Sequence, residues 1–340
     1  MIRLFAHANY DFIGLRKWAY GVTGAILIPG LILMALRDVN YSIEFTGGAL
    51  VQVRATGTTM DAGGVRAALD RGGVPGAEIT EFGGSTEFVI RARLEGQVSA
   101  TEQAAQETAT RVRAALTDAF GAGGFEVTRV EAVGPKVGGE LRQRALLAIL
   151  ASFVVVLVYL AYRFEWRFGL ASVLATAHDI LATIAFIVYM DLEVSLLVVS
   201  AILTVVGYSL NDTIVIFDRT RENLHKYKRE DLAEILNRSV NETLPRTIIT
   251  NTTSLAALVA LLVLAGAVLR PFAWVMAFGV FTGTFSSVYI AAPVLMWIER
   301  KWPGKDARGV KARVVAAGHG TSTTLPPPEA GAERSRVPSA

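Results

Sequence analysis

The chain has 340 residues, of which 52% are hydrophobic and only 19% are charged, a balance that excludes an ordinary soluble domain and favours a membrane protein. Its formal net charge of +3 is small, and in a membrane protein it reflects basic cytoplasmic loops rather than nucleic-acid binding. The absence of cysteine excludes disulfides, thiolate metal sites and cysteine nucleophiles, and the four histidines are too scattered to predict a metal site.

A helix that crosses a bilayer needs about 20 mostly apolar residues, and six segments of the sequence meet this requirement. The predicted spans are residues 18–36, 145–162, 169–190, 194–217, 247–269 and 271–298. Arg16 and Lys17 precede the first span, but no small-residue cleavage site follows its long apolar run. We therefore interpret this segment as an uncleaved membrane anchor rather than a signal peptide.

The distribution of lysine and arginine in the short loops predicts the orientation of the spans. Residues 1–17, the loop of residues 218–246 and the tail of residues 299–340 are rich in basic side chains. Both termini are therefore predicted to be cytoplasmic, and residues 37–144 are predicted to lie in the periplasm. Within the 218–246 loop, apolar residues at helical spacing predict an amphipathic helix at the membrane surface, and the Gly- and Pro-rich tail is predicted to be disordered.

Residues 37–144 have the pattern of a small α+β domain. Strands are predicted in residues 41–54, 77–82, 87–93 and 125–133, and helices are predicted in residues 61–71 and 99–120. Gly83 and Gly84 form the predicted turn between the second and third strands, and Ser99 with Glu102 forms a capping box for the second helix. The order βαββαβ predicts a ferredoxin-like fold inserted between the first two spans.

Asp212, inside the fourth predicted span, is the leading candidate for a functional residue. An ionised carboxylate at the centre of a bilayer costs roughly 3 kcal/mol or more, so such residues face a bundle interior and mark ion or proton paths. The alternative is that Asp212 lies close enough to the cytoplasmic end of its helix to reach solvent. Tyr208 and Asn211, with Gly207 and Ser209, form a small polar patch beside it.

Other polar residues in the spans extend this candidate proton path. Arg246, at the start of the fifth span, is the best-placed cation for Asp212, although it is equally well explained as a positive-inside anchor. Thr247 begins a run of polar residues in the same span, which predicts a face turned toward another helix or toward water. His178 and Asp179, halfway along the third span, are either a proton relay or a packed pair with satisfied hydrogen bonds.

The remaining patterns predict neither catalysis nor a bound group. Gly279 and Gly283 have the GxxxG spacing of helix packing. The sequence has no phosphate-binding loop, so we do not expect this chain to hydrolyse ATP. No pattern calls for a cofactor, a metal ion or an enzymatic reaction, and we expect the protein not to be an enzyme.

Three long motifs occur in a fixed order along the chain. YSIEFTGGALVQV follows the first span, VGPKVGGEL precedes the second, and VGYSLNDTIVIFDRTREN in the fourth span is followed by LPRTIITNTTS at the start of the fifth. With these motifs the chain resembles the SecF family, the smaller membrane subunits of bacterial SecDF protein-translocation complexes, over nearly all of residues 10–303. Glu44 stands where aspartate is commoner in the family.

The resemblance implies properties that composition and spacing do not show. SecF proteins are half of an RND-type transporter in the bacterial cytoplasmic membrane, and their six spans pair with six spans of SecD. The complex uses the proton gradient to help pull unfolded preproteins outward after SecA has pushed them through SecYEG, and YajC is a further candidate partner. The family's proton passage centres on the carboxylate matching Asp212 and the arginine matching Arg246, and Asp179 matches another characteristic position. The candidate proton path is therefore Asp212, Arg246, Asn211, Asp179, Tyr208 and Thr247.

Two other functions fit parts of the sequence. The first is an RND-type exporter of lipids or drugs, but such pumps carry two six-span halves and much larger outer domains. The second is a membrane-anchored scaffold, in which the outer domain binds emerging protein and the spans only hold it in place. The polar residues around Asp212 distinguish these alternatives, because an anchor does not need them.

Overall fold

The computed structural model describes residues 8–37, 39–56, 60–82, 86–93, 102–163, 165–265 and 268–302. The elements follow the chain in the order α1 (Arg16–Leu36), α2 (Ile43–Thr46), β1 (Gly48–Ala55), α3 (Ala62–Arg71), β2 (Glu78–Phe82), β3 (Glu87–Arg93), α4 (Glu102–Phe120), β4 (Phe125–Val133), α5 (Pro135–Arg163), α6 (Trp166–Tyr189), α7 (Leu196–Lys226), α8 (Leu232–Leu264), α9 (Arg270–Ser286) and α10 (Ala292–Lys301). A π-helical turn at Ser287–Ala291 joins α9 to α10. The predicted turn at Gly83–Gly84, the predicted cap at Ser99 and most of the predicted disordered tail lie outside the described residues.

Six helical units in the described chain are long and apolar enough to cross a membrane, which confirms the predicted number of spans. They are α1, α5, α6, α7, α8 and the continuous unit Arg270–Lys301. More than half of the apolar stretch of α6 and of α7 is buried inside the protein (56% each), against 6% for α5. The bundle therefore has α6, α7 and the last unit at its centre, and α1, α5 and α8 turn apolar side chains outward, as helices in contact with lipid do.

The segment predicted as a separate amphipathic helix at the membrane surface is instead the first part of α8. This helix begins at Leu232, where the Asp231 carboxylate accepts a hydrogen bond from the Ala233 backbone N–H (3.2 Å), and it continues past Pro245 into the fifth span. Its apolar residues Ile235 and Leu236 are fully buried in the bundle core. The apolar face packs against protein and the helix is continuous with the fifth span, so its position at the membrane surface stays a prediction.

The α9 helix crosses α7 at close range because two glycines lie at the contact. A methyl group on Gly279 would overlap the Val205 side chain, and one on Gly283 would lie 3.0 Å from Ser209 Cβ. Small residues at a crossing allow the backbones of two helices to approach, which is the role that the GxxxG spacing predicted.

Residues between α1 and α5 form a small domain around a four-stranded antiparallel sheet with the strand order β2-β3-β1-β4. Alternate side chains of the central strands point to one face, where Val51 of β1 and Ile90 of β3 are fully buried. Val112 and Leu116 of α4 are buried in the same cluster and cover that face. The period of two in the strands and the apolar stripe of α4 together produce this core.

The glycine contact between α7 and α9 gives a stability prediction. We expect Gly279→Ala to destabilise the protein by about 1–3 kcal/mol, because the added methyl group overfills a packed crossing. Gly21→Ala is the matched control, since a methyl group there meets nothing within 4 Å. Thermal unfolding of the two variants in detergent tests this, and equal melting temperatures would contradict the proposed close contact.

Candidate functional site

Asp212 lies in α7 with only 4% of its surface exposed. Its carboxylate oxygen Oδ2 accepts a hydrogen bond of 2.7 Å from the side-chain amide of Asn251 in α8. The alternative in which Asp212 simply reaches solvent therefore does not describe the structure. Burial without a hydrogen-bonding partner would cost several kcal/mol, and the Asn251 amide offsets that cost.

Asn251 is the centre of a hydrogen-bonded group that we call the Asp212 cluster: Asp212, Asn251, Tyr208, Ser254 and Thr284. The Asn251 amide nitrogen donates to Asp212 and also to the Thr284 hydroxyl of α9 (2.5 Å). Its amide oxygen accepts from the Tyr208 hydroxyl (2.7 Å), which also lies 2.9 Å from the Ser254 hydroxyl. Both N–H groups of the amide and its oxygen are thus used, which fixes the orientation of the side chain.

Four of the six predicted proton-path residues lie outside this cluster: Arg246, Asn211, Thr247 and Asp179, the last of which belongs to a second group described below. Arg246 is exposed, and although its charge acts on Asp212, the two side chains form no ion pair in the described part of the chain. Asn211 is exposed on the outer side of α7. Thr247 is buried, but its hydroxyl makes no hydrogen bond with the cluster among the described residues. Of the six predicted residues, the cluster therefore brings together only Asp212 and Tyr208.

Asp179 forms a second buried group with three partners from three elements. Its side chain is fully buried in α6, and its Oδ2 accepts hydrogen bonds from the Ser286 hydroxyl of α9 (2.6 Å) and from the Ser209 hydroxyl of α7. The other oxygen lies 2.9 Å from Nδ1 of His178. We call these four residues the Asp179 cluster.

The two clusters are neighbours because they use the same pair of helices. Ser209 and Asp212 are three residues apart on α7, a spacing that places them on adjacent sides of one helical turn. On α9, Thr284 contributes to the Asp212 cluster and Ser286 to the Asp179 cluster. The bundle therefore holds two buried groups of carboxyl, hydroxyl and amide side chains on the same pair of helices.

Sequence reasoning missed Thr284 and Ser286, because a hydroxyl in an apolar span has no distinctive pattern of its own. It also missed the π-helical turn that begins directly after Ser286. Pro293, the second residue of α10, supplies a physical reason for this turn: it has no N–H to donate to the preceding turn, and its ring displaces the backbone there. Turns of this kind occur frequently at functional sites.

The two clusters contain carboxyl, imidazole and hydroxyl side chains. No set of three or more acidic or histidine side chains with suitable spacing occurs within the residues that the structure describes. The carboxyl, imidazole and hydroxyl groups present are able to accept and donate protons in turn. Proton transfer is one reaction that these groups are chemically able to carry out.

Comparison with known proteins places these features in a family. Residues 112–301 match the family model described as "Protein export membrane protein SecD/SecF, C-terminal". The protein translocase subunit SecF of Gemmatimonas aurantiaca is 54% identical over 326 residues, which are 95% of this chain and 97% of that protein. The corresponding subunit of Rhodobacter capsulatus is 40% identical over 299 residues, which are 85% of this chain and 89% of that protein.

The chain is also similar to a solved structure. The crystal structure of SecDF from Thermus thermophilus, described as a translocon-associated membrane protein, matches with a TM-score of 0.74 and 33% sequence identity. The match covers 88% of this chain and 40% of that one. The present chain therefore spans well under half the length of the SecDF chain.

The central position of Asn251 in the Asp212 cluster is testable. We expect Asn251→Ala to destabilise the protein by about 1–3 kcal/mol, because it leaves the buried Asp212 carboxylate without its amide partner and removes one hydrogen bond each from Tyr208 and Thr284. Thr252→Ala, an exposed position next to it, is the control and should change stability by less than about 0.5 kcal/mol. Melting temperatures in detergent provide the measurement. If Asn251→Ala lowers the melting temperature no more than Thr252→Ala does, the hydrogen-bond network is contradicted.

Proposed function

The chain belongs to the SecF family of protein translocase subunits, and from this premise we propose that it pairs with a SecD subunit and uses the proton gradient to assist preprotein export. The complex would lie in the bacterial cytoplasmic membrane, with both termini of this chain cytoplasmic and residues 37–144 outside. SecYEG would deliver the preprotein after SecA has acted, and YajC is a further proposed partner.

The observation that carries this proposal is the buried Asp212 cluster inside an apolar bundle. A carboxyl group in that environment is costly, and membrane proteins retain such groups mainly along ion and proton paths. Among the described residues, the Asp212 carboxylate accepts its hydrogen bond from the neutral Asn251 amide, which in turn bonds the Tyr208 and Thr284 hydroxyls. Neutral partners of this kind suit a carboxyl group that changes its protonation state during a transport cycle.

A polar stripe on the outer side of α7 supports pairing with a second membrane subunit. Ser200, Thr204, Gly207 and Asn211 are exposed and follow one another at helical spacing along the fourth span. Small and polar residues on an outer face of a span are typical of contacts between membrane helices. The longer length of the matched SecDF chain also agrees with this chain supplying one half of a larger unit.

In this proposal Asp212 and Asp179 bind and release the proton, and Tyr208 lies beside the first of them. Arg246, whose charge already acts on Asp212, would adjust the charge balance of the site as the complex moves. Asn211 and Thr247 would line the approach from the SecD side. The exposed position of Asn211 on the polar stripe supports this assignment.

We also propose that the outer domain is a ferredoxin-like split βαβ unit. Its elements follow the chain as β1, α3, β2, β3, α4 and β4, which is the βαββαβ order of that fold. Its strand order, β2-β3-β1-β4, with all neighbours antiparallel, supports the same assignment. A compact domain of this kind would contact preprotein as it emerges from the membrane.

Replacement of Asp212 tests proton use. We expect Asp212→Asn to lower gradient-dependent secretion on the order of tenfold or more, because a side-chain amide keeps the hydrogen bond but does not take up a proton. The measurement is secretion of a reporter preprotein in cells depleted of the native subunit, with and without the gradient. Asp191→Asn is the control, since this aspartate is exposed and its left-handed backbone (φ 49°) also suits asparagine.

Full complementation by Asp212→Asn would contradict the proton path and favour the scaffold alternative. If secretion does not depend on this chain at all, the proposal that the protein acts on preproteins is wrong. An exporter of lipids or drugs then becomes the better assignment.

A pair of substitutions at Asp179 separates a functional role from a structural one. We expect Asp179→Asn to fold and to lose gradient-dependent export, because the amide oxygen still accepts hydrogen bonds from Ser209 and Ser286. Asp179→Ala removes that acceptor and should destabilise the protein by about 1–3 kcal/mol. Melting temperature and secretion are measured for both variants. If the loss of export simply follows the loss of stability, Asp179 is only a structural residue.

A further inference from the structure

The outer domain is attached to the membrane bundle by a polar junction at the start of α7, roughly 24 Å along that helix from Asp212. The Val194 backbone N–H donates to the Asn40 carbonyl (2.7 Å), and the Ser42 backbone N–H donates to the Val194 carbonyl (3.0 Å). The Glu44 carboxylate accepts a hydrogen bond from the Leu196 backbone N–H (2.5 Å) at the N-terminus of α7. The segment before β1 and the loop between α6 and α7 are thus held together.

One ion pair connects the sheet itself to this loop. Arg91 of β3 lies with its Nε 3.1 Å from Oε2 of Glu193, and both side chains are mostly buried, with 15% and 12% of their surfaces exposed. The second carboxylate oxygen of Glu193, Oε1, is buried and has no hydrogen-bonding partner among the described residues. A buried carboxylate that uses only one of its oxygens is poorly compensated for its loss of water.

Further charged groups lie around Glu193, and they belong to several elements of the junction. Glu78 stands opposite Arg91 in the ladder between β2 and β3, and Glu44 approaches from α2. Arg93 adds a second cation, but its guanidinium also donates to the Asn40 side chain. Arg129 and Glu131 of β4 line the same cavity and pair with each other.

These surroundings make the closed junction a proton-binding site. Burial raises the pKa of Glu193 to about 7, and repulsion from Glu78 and Glu44 acts in the same direction, whereas Arg91 and Arg93 oppose it. A glutamate in water has a pKa of about 4.3, so the closed junction binds a proton more tightly than an open one in which Glu193 is solvated. Proton binding therefore favours closure, and proton loss favours opening. When Glu193 is neutral, Glu78 still balances the charge of Arg91.

We propose that Glu193 is a proton-controlled switch that holds the outer domain on the membrane bundle when protonated and lets the two separate when ionised. The switch is independent of proton passage through Asp212 and of the substrate that the protein transports. In the orientation proposed above, it faces the proton-rich side of the membrane. It would therefore make the position of the outer domain sensitive to the outer pH.

The test measures the distance between the outer domain and the bundle as a function of pH. Because the native chain has no cysteine, Asp118→Cys in α4 and Leu269→Cys at the start of α9 introduce two exposed sites for spin labels. The full chain is co-purified with a cysteine-free SecD in lipid nanodiscs. Pulsed electron–electron double resonance then measures the distance between the two spin labels. The ratio of separated to closed molecules should rise by up to about tenfold per pH unit between about pH 4.5 and 7 and then level off.

Three substitutions give the test its specificity. Glu193→Gln should keep the junction closed and remove the pH dependence, because a neutral side chain binds no proton. Glu78→Gln should move the upper end of the transition to lower pH, because it removes a repulsion that raises the pKa of Glu193. This second variant keeps the test valid even if Glu193→Gln does not fold. Glu131→Gln, which removes a carboxylate from the same cavity, should leave the transition unchanged. A wild-type distance distribution that is independent of pH, or a pH response that survives Glu193→Gln, would overturn the proposal.

Discussion

At the crossing of α7 and α9, Gly279 and Gly283 let the two backbones approach until Gly283 lies directly against Ser209. The rest of the polar interior depends on this approach. Ser286 and Thr284, just beyond the glycines on α9, reach across to Asp179 and to the Asn251 amide. With a wider crossing, Asp179 would lose a hydroxyl partner inside an apolar bundle, and an unpaired polar group there costs several kcal/mol.

The bundle offsets the cost of removing its buried carboxylates from water in two different ways. Near its predicted cytoplasmic end, the buried Glu299 forms an ion pair of 2.7 Å with Arg167, a permanent cation. In the interior, Asp179 and Asp212 have amide, hydroxyl and imidazole partners instead. A hydroxyl both donates and accepts, so Ser209 and Ser286 are able to stay bonded to either protonation state of Asp179. The first arrangement is suited to holding the helices together, and the second to exchanging protons.

The α7 helix contacts both the junction with the outer domain and the two buried clusters. Its N-terminus is capped by Ser195 and held by Glu44 at the junction with the outer domain, and its middle carries Ser209 and Asp212. From Leu196 to Asp212 this helix covers roughly 24 Å at 1.5 Å per residue. One continuous helix therefore contacts both the outer domain and the polar interior of the bundle.

The six spans and the two acidic candidates could be predicted from the sequence, because the length of an apolar run and a charge within it are local properties. The order of the four strands and of α3 and α4 in the outer domain follows from local periodicity in the same way, whereas Ile43–Thr46, predicted as part of the first strand, is the short helix α2. The long motifs also identified the family, which the comparison with known proteins confirmed.

The partners of those residues were decided by the tertiary structure. Arg246 was the expected partner of Asp212 because it was the nearest cation in a neighbouring span, but Asn251 occupies that place. The choice depends on how α8 is rotated about its axis, and this rotation is set by the packing of its buried face rather than by any single residue. Arg91 and Glu193 likewise lie about a hundred residues apart in sequence, and only the docking of the sheet on the loop before α7 brings them together. The sequence by itself therefore determined which segments cross the membrane and which charges they contain, and the helix crossings determined what those charges contact.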